Sequence, residues 1–368
     1  MKVLHIGKYY HPYIGGTEVH LSTLAEELKK EVGIGILASN TRFKTSLEKY
    51  DGINVYRLAR LGNFFSLPLT LSLPFWLKRQ EADILHFHLP NPLSVLSYFL
   101  SRPKGRVVVS YHSDIVKQRF FLPLIKPLLI RFLKKAETII VTSENIIEDS
   151  LILKKFRDKC KVIPCGIDLS RFRPDSEVLK KAEEIKQKYG KPLILFVGRL
   201  VYYKGLEYLI KAMQEIEAKL LIVGDGPLRN KLQRLAGHLG VGGKIIWIGE
   251  IENEKIAAYY YACDIFVLPS NIKAESFGIV QVEAFACGKP VVSTNLPTGV
   301  PFVNLHGKTG LVVPPGNSSA LADAINRLLG SSQLCKIYGQ NARERVEKEF
   351  TKEGMADAVL KVYRAAGQ

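Results

Sequence analysis

The chain has 368 residues, of which 47% are apolar and 24% charged, and 52 lysines and arginines against 35 acidic residues give a net charge of +17. The length suits two domains, and the composition is that of an ordinary soluble globular protein. No apolar run reaches membrane-spanning length without a charge or a proline, and the first residues lead straight into a strand, so we expect neither a transmembrane helix nor a signal peptide. The five cysteines form no CxxC pair and no cluster with histidine, which indicates a reducing, cytoplasmic location and predicts no cysteine-based metal site.

Short β-rich runs alternate with helical stretches twice along the chain. The predicted strands are KVLHIG, GIGILAS, INVYRL, DILHFH, RVVVSYH, TIIVTS and CKVIP in the first half, and PLILFVG, AKLLIVG, KIIWIG, DIFVLP and KPVVST in the second. This alternation predicts an α/β fold of two Rossmann-like domains, with a ligand cleft between them at the carboxyl ends of the strands. The turn-rich CGIDLSRFRPDSE (165–177) marks the join, so we divide the chain into residues 1–166 and 167–351.

The first strand is followed by PYIGGTEVH, where Gly15 and Gly16 lead into a helix. Paired glycines permit either a tight turn or a close approach of the backbone to a ligand. The spacing is not GxGxxG, so nothing here predicts a nicotinamide cofactor. In the same half, VVVSYHSD places His112 at a strand end that faces the expected cleft, where a structural and a functional role are both open.

HFHLPNP brings His86 and His88 to the end of a neighbouring strand. Strand alternation puts both side chains on one face, which makes a metal pair conceivable. No third ligand is evident in the sequence, and the chain contains no Asp-x-Asp of the kind that a metal-bridged nucleotide site needs. We therefore predict neither a metal site nor a cofactor.

Two segments of the first half combine apolar residues with cations. IVKQRFFLPLIKPLLIRFLKK (115–135) holds six cations and no carboxylate, and FFSLPLTLSLPFWLKRQ (64–80) is a second apolar stretch. As a helix interrupted by Pro123 and Pro127, the first segment is either a peripheral element on an anionic membrane or a core-packing helix with a solvated cationic face. Neither segment contains a recognisable nucleic-acid module, so we expect no nucleic-acid partner.

In the second half, FVGRLVYYKGLEYLIKA places Arg199 and Lys204 between a strand that ends in Gly198 and a helix that begins at Gly205. Two cations beside a helix N-terminus can hold a diphosphate, the guanidinium through bidentate contacts and the ammonium as a mobile point charge. Taken alone, the same two residues are also compatible with ordinary surface cations.

ESFGIVQVE carries Glu275 and Glu283 eight positions apart. Glu275 falls in the loop after the strand DIFVLPS, where open amides at a helix start favour anions. Glu283 lies in an otherwise apolar helix, where a carboxylate is costly unless a polar group satisfies it. The pattern predicts a site for a polar ligand.

The early GG, VIPCGIDLSRFRP, GRLVYYKG, LIVGDGPLR, ESFGIVQVEAFACGKPVV and HGKTGLVVPPG follow one another along the chain. In these motifs and their order, nearly the whole chain resembles retaining glycosyltransferases of the GT-B fold, a large family that includes bacterial phosphatidylinositol mannosyltransferases and sucrose-phosphate synthases. The resemblance implies a metal-independent hexosyltransferase with an acceptor-side N-terminal domain and a C-terminal domain that binds the nucleotide sugar. It also implies that the last helix crosses back, so that residues 352–368 pack on the N-terminal domain.

Within this family ESFGIVQVE is the E-x7-E motif. The resemblance implies that Glu275 contacts the donor sugar, that Glu283 contacts the nucleotide ribose, and that amides around Phe277, Gly278 and Ile279 hold the sugar and the diphosphate.

The resemblance further implies that Arg199 and Lys204 neutralise the leaving diphosphate and that Gly16, next to Gly15, approaches this group from the facing domain. His112 matches the family's histidine near the reacting sugar carbon. No side chain is an obvious nucleophile on the correct face of the sugar. We therefore favour same-face attack, in which the leaving phosphate takes the acceptor proton.

HFHLPNP, SYHSDIV and STNLPTGVPFVNLHGKTG are most similar to mannosyltransferases of cell-surface polysaccharide synthesis, which use GDP-mannose. A UDP-hexose donor is the alternative. The expected acceptor is a saccharide or a lipid-linked sugar, and a lipid-linked one would explain the basic, apolar segments. More distant alternatives are a GT-B epimerase and a sugar-nucleotide-binding protein without transfer activity.

Overall fold

The computed structural model describes residues 1–13, 15–64, 67–114 and 122–367. Contacts divide the chain into two compact units, one of Met1–Gly166 with Lys352–Gln368 and the other of Ile167–Thr351. Residues 115–121, which open the basic segment and include Lys117 and Arg119, lie outside the described residues.

The first unit contains ten described strands and five helices before its C-terminal helix. The strands are β1 (Lys2–Ile6), β2 (Gly33–Ser39), β3 (Ser46–Tyr50), β4 (Ile53–Leu58), β5 (Asn63–Phe64), β6 (Leu67–Pro68), β7 (Ile84–Leu89), β8 (Arg106–Tyr111), β9 (Ala136–Val141) and β10 (Cys160–Val162). The helices are α1 (Gly16–Leu28), α2 (Leu73–Lys78), α3 (Pro92–Ser101), α4 (Leu122–Lys135) and α5 (Glu144–Asp149).

Eight of these strands form one sheet in the order β10-β9-β8-β7-β1-β2-β4-β3. Neighbouring strands are parallel except for β3 and β4, which are antiparallel at the edge. β5 and β6 form a separate antiparallel pair. The buried strands β7, β8 and β1 read as almost continuous apolar runs because helices cover both faces of the sheet.

The second unit is a six-stranded sheet, parallel throughout, in the order β13-β12-β11-β14-β15-β16. Its strands are β11 (Leu193–Val197), β12 (Lys219–Val223), β13 (Ile245–Gly249), β14 (Ile265–Leu268), β15 (Val291–Thr294) and β16 (Gly310–Val313). Its helices are α6 (Ser176–Tyr189), α7 (Leu206–Ala212), α8 (Arg229–His238), α9 (Ile256–Ala262), α10 (Ile279–Ala286), α11 (Val300–Val303), α12 (Ser318–Leu329) and α13 (Ser332–Glu349).

The last helix, α14 (Lys352–Gly367), belongs to the first unit. It packs beside α1 over the central strands, where Val359 and Tyr363 share a buried apolar cluster with Val3, Leu24 and Ile84. Its apolar positions recur every three or four residues, as expected for a helix that lies flat on a sheet.

All twelve predicted strands occur in the structure, and the predicted α/β class with parallel sheets is confirmed. Four strands were not predicted from the sequence: β3, β5, β6 and β16. β3 has a largely exposed, charged sequence, SLEKY, without the alternating pattern that marks a half-buried strand. It pairs with β4 through a tight turn at Asp51 and Gly52, both of which have positive φ.

The described part of the basic segment is α4, which includes Pro127. Leu129, Phe132 and Leu133 are buried in the core of the first unit, whereas Lys134 and Lys135 are exposed. The apolar side of α4 thus packs in the core, whereas the membrane contact predicted for the whole segment 115–135 stays a prediction. Among the described residues, none of the helices combines the length and the apolar character that crossing a bilayer requires.

Candidate active site

Lys204 and Glu275 form a buried ion pair in the second unit. Lys204 ends a short 3-10 turn (Tyr202–Lys204) after β11, and Gly205 follows it with φ of 65°, where a side chain would collide with the carbonyl oxygen of Pro269. The Nζ atom of Lys204 lies 2.6 Å from Oε2 of Glu275, and each side chain is only 10% exposed. The same carboxylate oxygen accepts a hydrogen bond of 3.0 Å from the hydroxyl of Ser270.

The environment of Lys204 favours its charged form. Burial alone would lower the pKa of the ammonium, but the attraction of Glu275, assisted by Tyr203, outweighs burial and the pKa is raised. The site therefore holds a fixed positive charge beside a carboxylate at the carboxyl end of the sheet.

Arg199 lies on the same loop but differs from Lys204 in its surroundings. It follows Gly198 at the end of β11, is exposed, and makes no ion pair with any residue that the structure describes. The two cations, which have similar positions in the sequence, thus differ in the structure: Lys204 lies in a buried pair and Arg199 lies at the surface.

Glu283 lies inside α10, half-buried, as predicted from its apolar sequence neighbours. The hydroxyl of Tyr260 donates a hydrogen bond of 2.7 Å to Oε2 of Glu283. Burial raises the pKa of the Glu283 carboxyl, and the Tyr260 hydroxyl and the charges of Arg171 and Lys204 oppose this only in part. Tyr260 was missed in the sequence analysis, although a tyrosine in the apolar helix IAAYYYA needs a polar partner when it is buried.

The turn that leads into α10 presents backbone amides. Gly278 caps the helix with φ of 71°, a left-handed conformation that favours glycine. Phe277 is buried, and its ring packs against that of Phe350 at a centroid distance of 5.9 Å. Within the described residues, the N–H groups of Phe277, Gly278 and Ile279 donate no hydrogen bond. Three open donors at a helix start provide a place for an anion or a hydroxyl-rich ligand.

Gly15 and Gly16 differ in what surrounds them. Gly15 has an extended backbone, and a side chain on it would collide with the carboxylate of Glu18. Gly16 begins α1 and faces open space, with no atom within 4 Å of the position that a Cβ would take. Of these two glycines, Gly16 is therefore the one whose backbone surface is uncovered and open to a ligand.

His112 follows β8 and is buried among other histidines of the first unit. Its Nε2 lies 3.2 Å from Nδ1 of His88, and its ring meets that of His20 edge-on at a centroid distance of 5.0 Å. Burial lowers the pKa of His112 well below its usual value, with a smaller contribution from His20. His20 lies on α1, one turn after Gly16, so the fold brings the start of α1 and the end of β8 together.

Strand register explains why the histidines meet. His5 on β1 is paired with His86 on β7, and Ser110 on β8 is paired with His88 two residues further along β7. Paired residues of parallel strands point to the same face, so these side chains share the face that α1 and α14 cover. The prediction that no third histidine accompanies His86 and His88 is wrong. Ring nitrogens of His5, His86 and His88, and likewise of His20, His88 and His112, lie within 4.8 Å of one another.

A cavity of about 310 Å³ opens in the first unit beyond the carboxyl ends of β1 and β2. Tyr9 and Tyr13 form part of its wall, with their rings stacked at a centroid distance of 4.3 Å. Ser39, Arg42 and Lys44 provide polar groups around it. An aromatic wall with hydroxyl and cationic groups suits a saccharide or an anionic carbohydrate.

The structure groups the predicted site residues into two sets. Arg199, Lys204, Glu275, Phe277, Gly278, Ile279 and Glu283 gather at one edge of the second sheet, and Gly15, Gly16 and His112 lie at one edge of the first. The fold is thus a two-unit α/β architecture in which the candidate ligand-binding residues lie at strand ends, as is usual for such sheets.

Comparison with known proteins gives the family. The Glycosyl transferases group 1 family matches residues 178–345, and the Glycosyltransferase Family 4 family matches residues 14–171. The chain is 32% identical over 367 residues to O-antigen chain mannosyltransferase C of Escherichia coli, covering 99% of this chain and 98% of the relative. It is 34% identical over 357 residues to D-rhamnosyltransferase WbpZ of Pseudomonas aeruginosa, with 95% and 92% covered. Sucrose-phosphate synthase from Thermosynechococcus elongatus superposes with a TM-score of 0.81 at 25% identity, covering 99% of this chain and 98% of that structure.

The chain therefore belongs to the group 1 glycosyltransferases, with a family 4 type N-terminal region, and it has the GT-B fold.

Proposed function

We propose that this enzyme transfers mannose from GDP-mannose to a saccharide or lipid-linked acceptor in cell-surface polysaccharide synthesis, with retention of configuration and without a metal. The observation that carries the proposal is the buried pair of Lys204 and Glu275 beside the open amides at the start of α10. The two relatives named above transfer mannose and D-rhamnose, which is 6-deoxymannose, so both support a donor of manno configuration.

The proposed donor contacts follow from the charges. Departure of GDP leaves an oxocarbenium-like sugar and a diphosphate with developing negative charge. The ammonium of Lys204, the guanidinium of Arg199 and the amides of the α10 turn would stabilise that charge most strongly in the transition state. Glu275 would accept hydrogen bonds from sugar hydroxyls, and Glu283 would accept them from the ribose.

Retention follows in this proposal from attack on the face that the diphosphate leaves. The bond between the anomeric carbon and the phosphate oxygen breaks as the acceptor oxygen bonds to the same carbon. The acceptor hydroxyl proton passes to the leaving phosphate oxygen. Nuclear magnetic resonance of the product tests this step, since an inverted anomeric signal would contradict it.

Donor identity is tested by thermal shift with GDP, GDP-mannose, GDP-D-rhamnose, UDP and UDP-glucose, each with and without a chelator. A ligand that binds the native state raises the melting temperature by mass action. We expect shifts with the guanosine nucleotides that survive chelation and are lost in Arg199→Ala. Arg234→Ala, an exposed arginine on α8, is the matched control and should keep the shift. A shift with uridine nucleotides alone would overturn the donor, and loss of binding with chelator would overturn the metal-independent reaction.

We propose that the cavity beside β1 and β2 receives the acceptor saccharide. Its stacked Tyr9 and Tyr13 offer a flat apolar face to a sugar ring. Tyr13→Ala is expected to raise the KM for a methyl mannoside acceptor and to leave the KM for the donor unchanged. Phe43→Ala, which alters an exposed aromatic outside the cavity wall, is the control. Equal effects of both variants on the acceptor KM would place the acceptor elsewhere.

A peripheral membrane contact is proposed for α2 and the residues before it. Leu71 and Phe75 are exposed there, next to the exposed cations Lys78 and Arg79. Apolar side chains among cations suit the surface of an anionic bilayer. Sedimentation with anionic liposomes should fall with salt, with Phe75→Ser and with Lys78→Glu. Binding that ignores salt and these substitutions would contradict the proposal.

A further inference from the structure

A continuous series of hydrogen bonds runs from His112 into the core of the first unit. Nε2 of His112 lies 3.2 Å from Nδ1 of His88, and Nε2 of His88 lies 3.0 Å from Nδ1 of His5. Nε2 of His5 lies 3.4 Å from the hydroxyl of Tyr363 on α14. We call this series the histidine chain; it links the predicted catalytic histidine to the last helix of the protein.

The histidine chain continues beyond Tyr363. The Tyr363 hydroxyl also bonds Nδ1 of His86, and Nε2 of His86 lies 2.8 Å from Oγ of Ser110. Every member is buried, so water does not compete for these bonds. His5, His86 and His88 each bond one neighbour through Nδ1 and the other through Nε2. His112, at the end of the series, bonds His88 through Nε2.

The charge state of the rings fixes how these bonds can be made. Burial lowers the pKa of the histidines in the chain, to about 3 for His5 and well below the usual value for His86, His88 and His112. A neutral imidazole donates from one nitrogen and accepts at the other, so the direction of one bond dictates the direction of the next. Two arrangements form every bond of the series: all four rings carry the proton on Nδ1, or all four carry it on Nε2.

We propose that His88, His5 and Tyr363 are positioning residues that act through the histidine chain to fix the tautomer and ring orientation of His112. The inference rests on the proposed transfer reaction, in which His112 meets the donor sugar. A ring held in one tautomer presents the sugar with a fixed donor or a fixed acceptor and needs no reorganisation during the reaction. The C-terminal helix thereby contributes to the site through one hydroxyl group.

A metal ion is the competing interpretation of the same histidines. Three imidazoles are a ligand set that Zn²⁺ accepts, and two such triads are present. Binding would take ring nitrogens away from the histidine chain, and the triads contain no carboxylate to offset a buried divalent charge. The donor set therefore favours the hydrogen-bonded chain, and zinc becomes an outcome of the test.

The first arm of the experiment reads the tautomers directly. The full-length protein is labelled with ¹⁵N-histidine, its eight histidines are assigned by substitution, and the ring nitrogens are observed by long-range ¹H–¹⁵N correlation at pH 7. We expect His5, His86, His88 and His112 to share one tautomer. Mixed tautomers among the four, or ring-nitrogen shifts on adding one equivalent of zinc that mark coordination, would overturn the proposal.

The second arm cuts the histidine chain at its tyrosine. Tyr363→Phe removes the hydroxyl that joins His5 to His86, and we expect the ring-nitrogen signals of His112 to change. The kcat for GDP release from GDP-mannose should fall about tenfold, the scale of one lost hydrogen bond, with a smaller change in KM. Val362→Ala removes buried methyl groups from the same helix and should change neither. If the Tyr363→Phe variant does not fold, Ser110→Ala is a milder alternative, because it removes only the hydrogen bond between Ser110 and His86 at the far end of the histidine chain.

The two arms separate this inference from the proposed function. Unchanged His112 signals in both Tyr363→Phe and Ser110→Ala would refute the chain while leaving the transfer reaction in place. A common tautomer that responds to these cuts, in a protein that releases no nucleotide from any donor, would support the chain and refute the proposed function.

Discussion

Replacing Lys204 by methionine removes the positive half of the buried ion pair and keeps most of the side-chain volume. At the observed separation of 2.6 Å, two unit charges attract by about 6 kcal/mol in an effective dielectric of about 20, and desolvation offsets most of this. The variant is left with the carboxylate of Glu275, which is 10% exposed and retains the Ser270 hydroxyl as a partner.

The cost comes from the charge that is left behind. Removing one partner of a buried ion pair costs about 3–5 kcal/mol, because the other charge stays buried without compensation. The Ser270 hydroxyl still donates a hydrogen bond to Glu275, which places the cost toward the lower end of this range. We expect Lys204→Met to lower the free energy of unfolding by about 3–4 kcal/mol at pH 7.

Urea unfolding followed by the fluorescence of a single tryptophan measures the loss of stability in the second unit, which contains the ion pair. The chain has two tryptophans, Trp76 in the first unit and Trp247 on β13 in the second, so a Trp76→Phe background leaves a reporter next to the site's own core. Lys211→Met, an exposed lysine on α7, is the control and should change stability by less than about 0.5 kcal/mol. A loss of less than about 1 kcal/mol would refute the reasoning, because it would show that the pair contributes no more than an exposed surface pair does.

Three further predictions concern the same sites. Glu283→Gln should raise the free energy of unfolding at pH 7 by about 1 kcal/mol, with the gain disappearing below about pH 4.5, and should weaken GDP binding by calorimetry, because the raised pKa of Glu283 makes its ionised form destabilising. Tyr260→Phe should weaken GDP binding about tenfold, since Glu283 loses its hydroxyl donor; unchanged affinity would show that this bond does not orient the carboxylate. Gly16→Ala should keep the melting temperature and lower the turnover of GDP-mannose, because the new Cβ meets no protein atom within 4 Å; unchanged turnover would show that no ligand approaches this backbone.

The strands that are buried on both faces could be predicted from the sequence. LILFV (193–197) and IFVL (265–268) are continuous apolar runs because both faces of a parallel strand are covered. β3 escaped prediction because an edge strand with exposed, charged residues has no apolar pattern, and the only available signal was Asp51-Gly52, a dipeptide typical of hairpin turns. β16 is as short as β14 and β15, but its residues GLVV lie between the turn-forming sequences HGKT and PPG, which gave the segment the appearance of a loop.

The candidate site could be predicted in part. Glu283 was visible because a carboxylate interrupts an apolar helix, and Lys204 because it lies between a strand-ending glycine and a helix start. Tyr260 could not be assigned to Glu283, because nothing local reveals that α9 packs against the helix that carries it. His5 is a lone polar residue in a buried strand, and its place beside His86 depends on the strand order β7-β1, which the sequence does not specify.

The two units hold buried polar groups of opposite electrostatic character, and this difference fits the two ends of the proposed donor. The second unit keeps Lys204 charged, with its pKa raised, and in the proposed reaction this charge would lie next to the leaving diphosphate. In the proposed reaction the first unit would contribute His112, which burial keeps neutral with a lowered pKa, next to the sugar carbon that becomes positive. An imidazolium at that position would repel the oxocarbenium-like sugar, whereas a neutral ring can still hydrogen-bond its hydroxyls. The burial of five uncharged histidines, which stabilises the fold poorly, is thus explained if their function is to place a polar but uncharged group next to a developing cation.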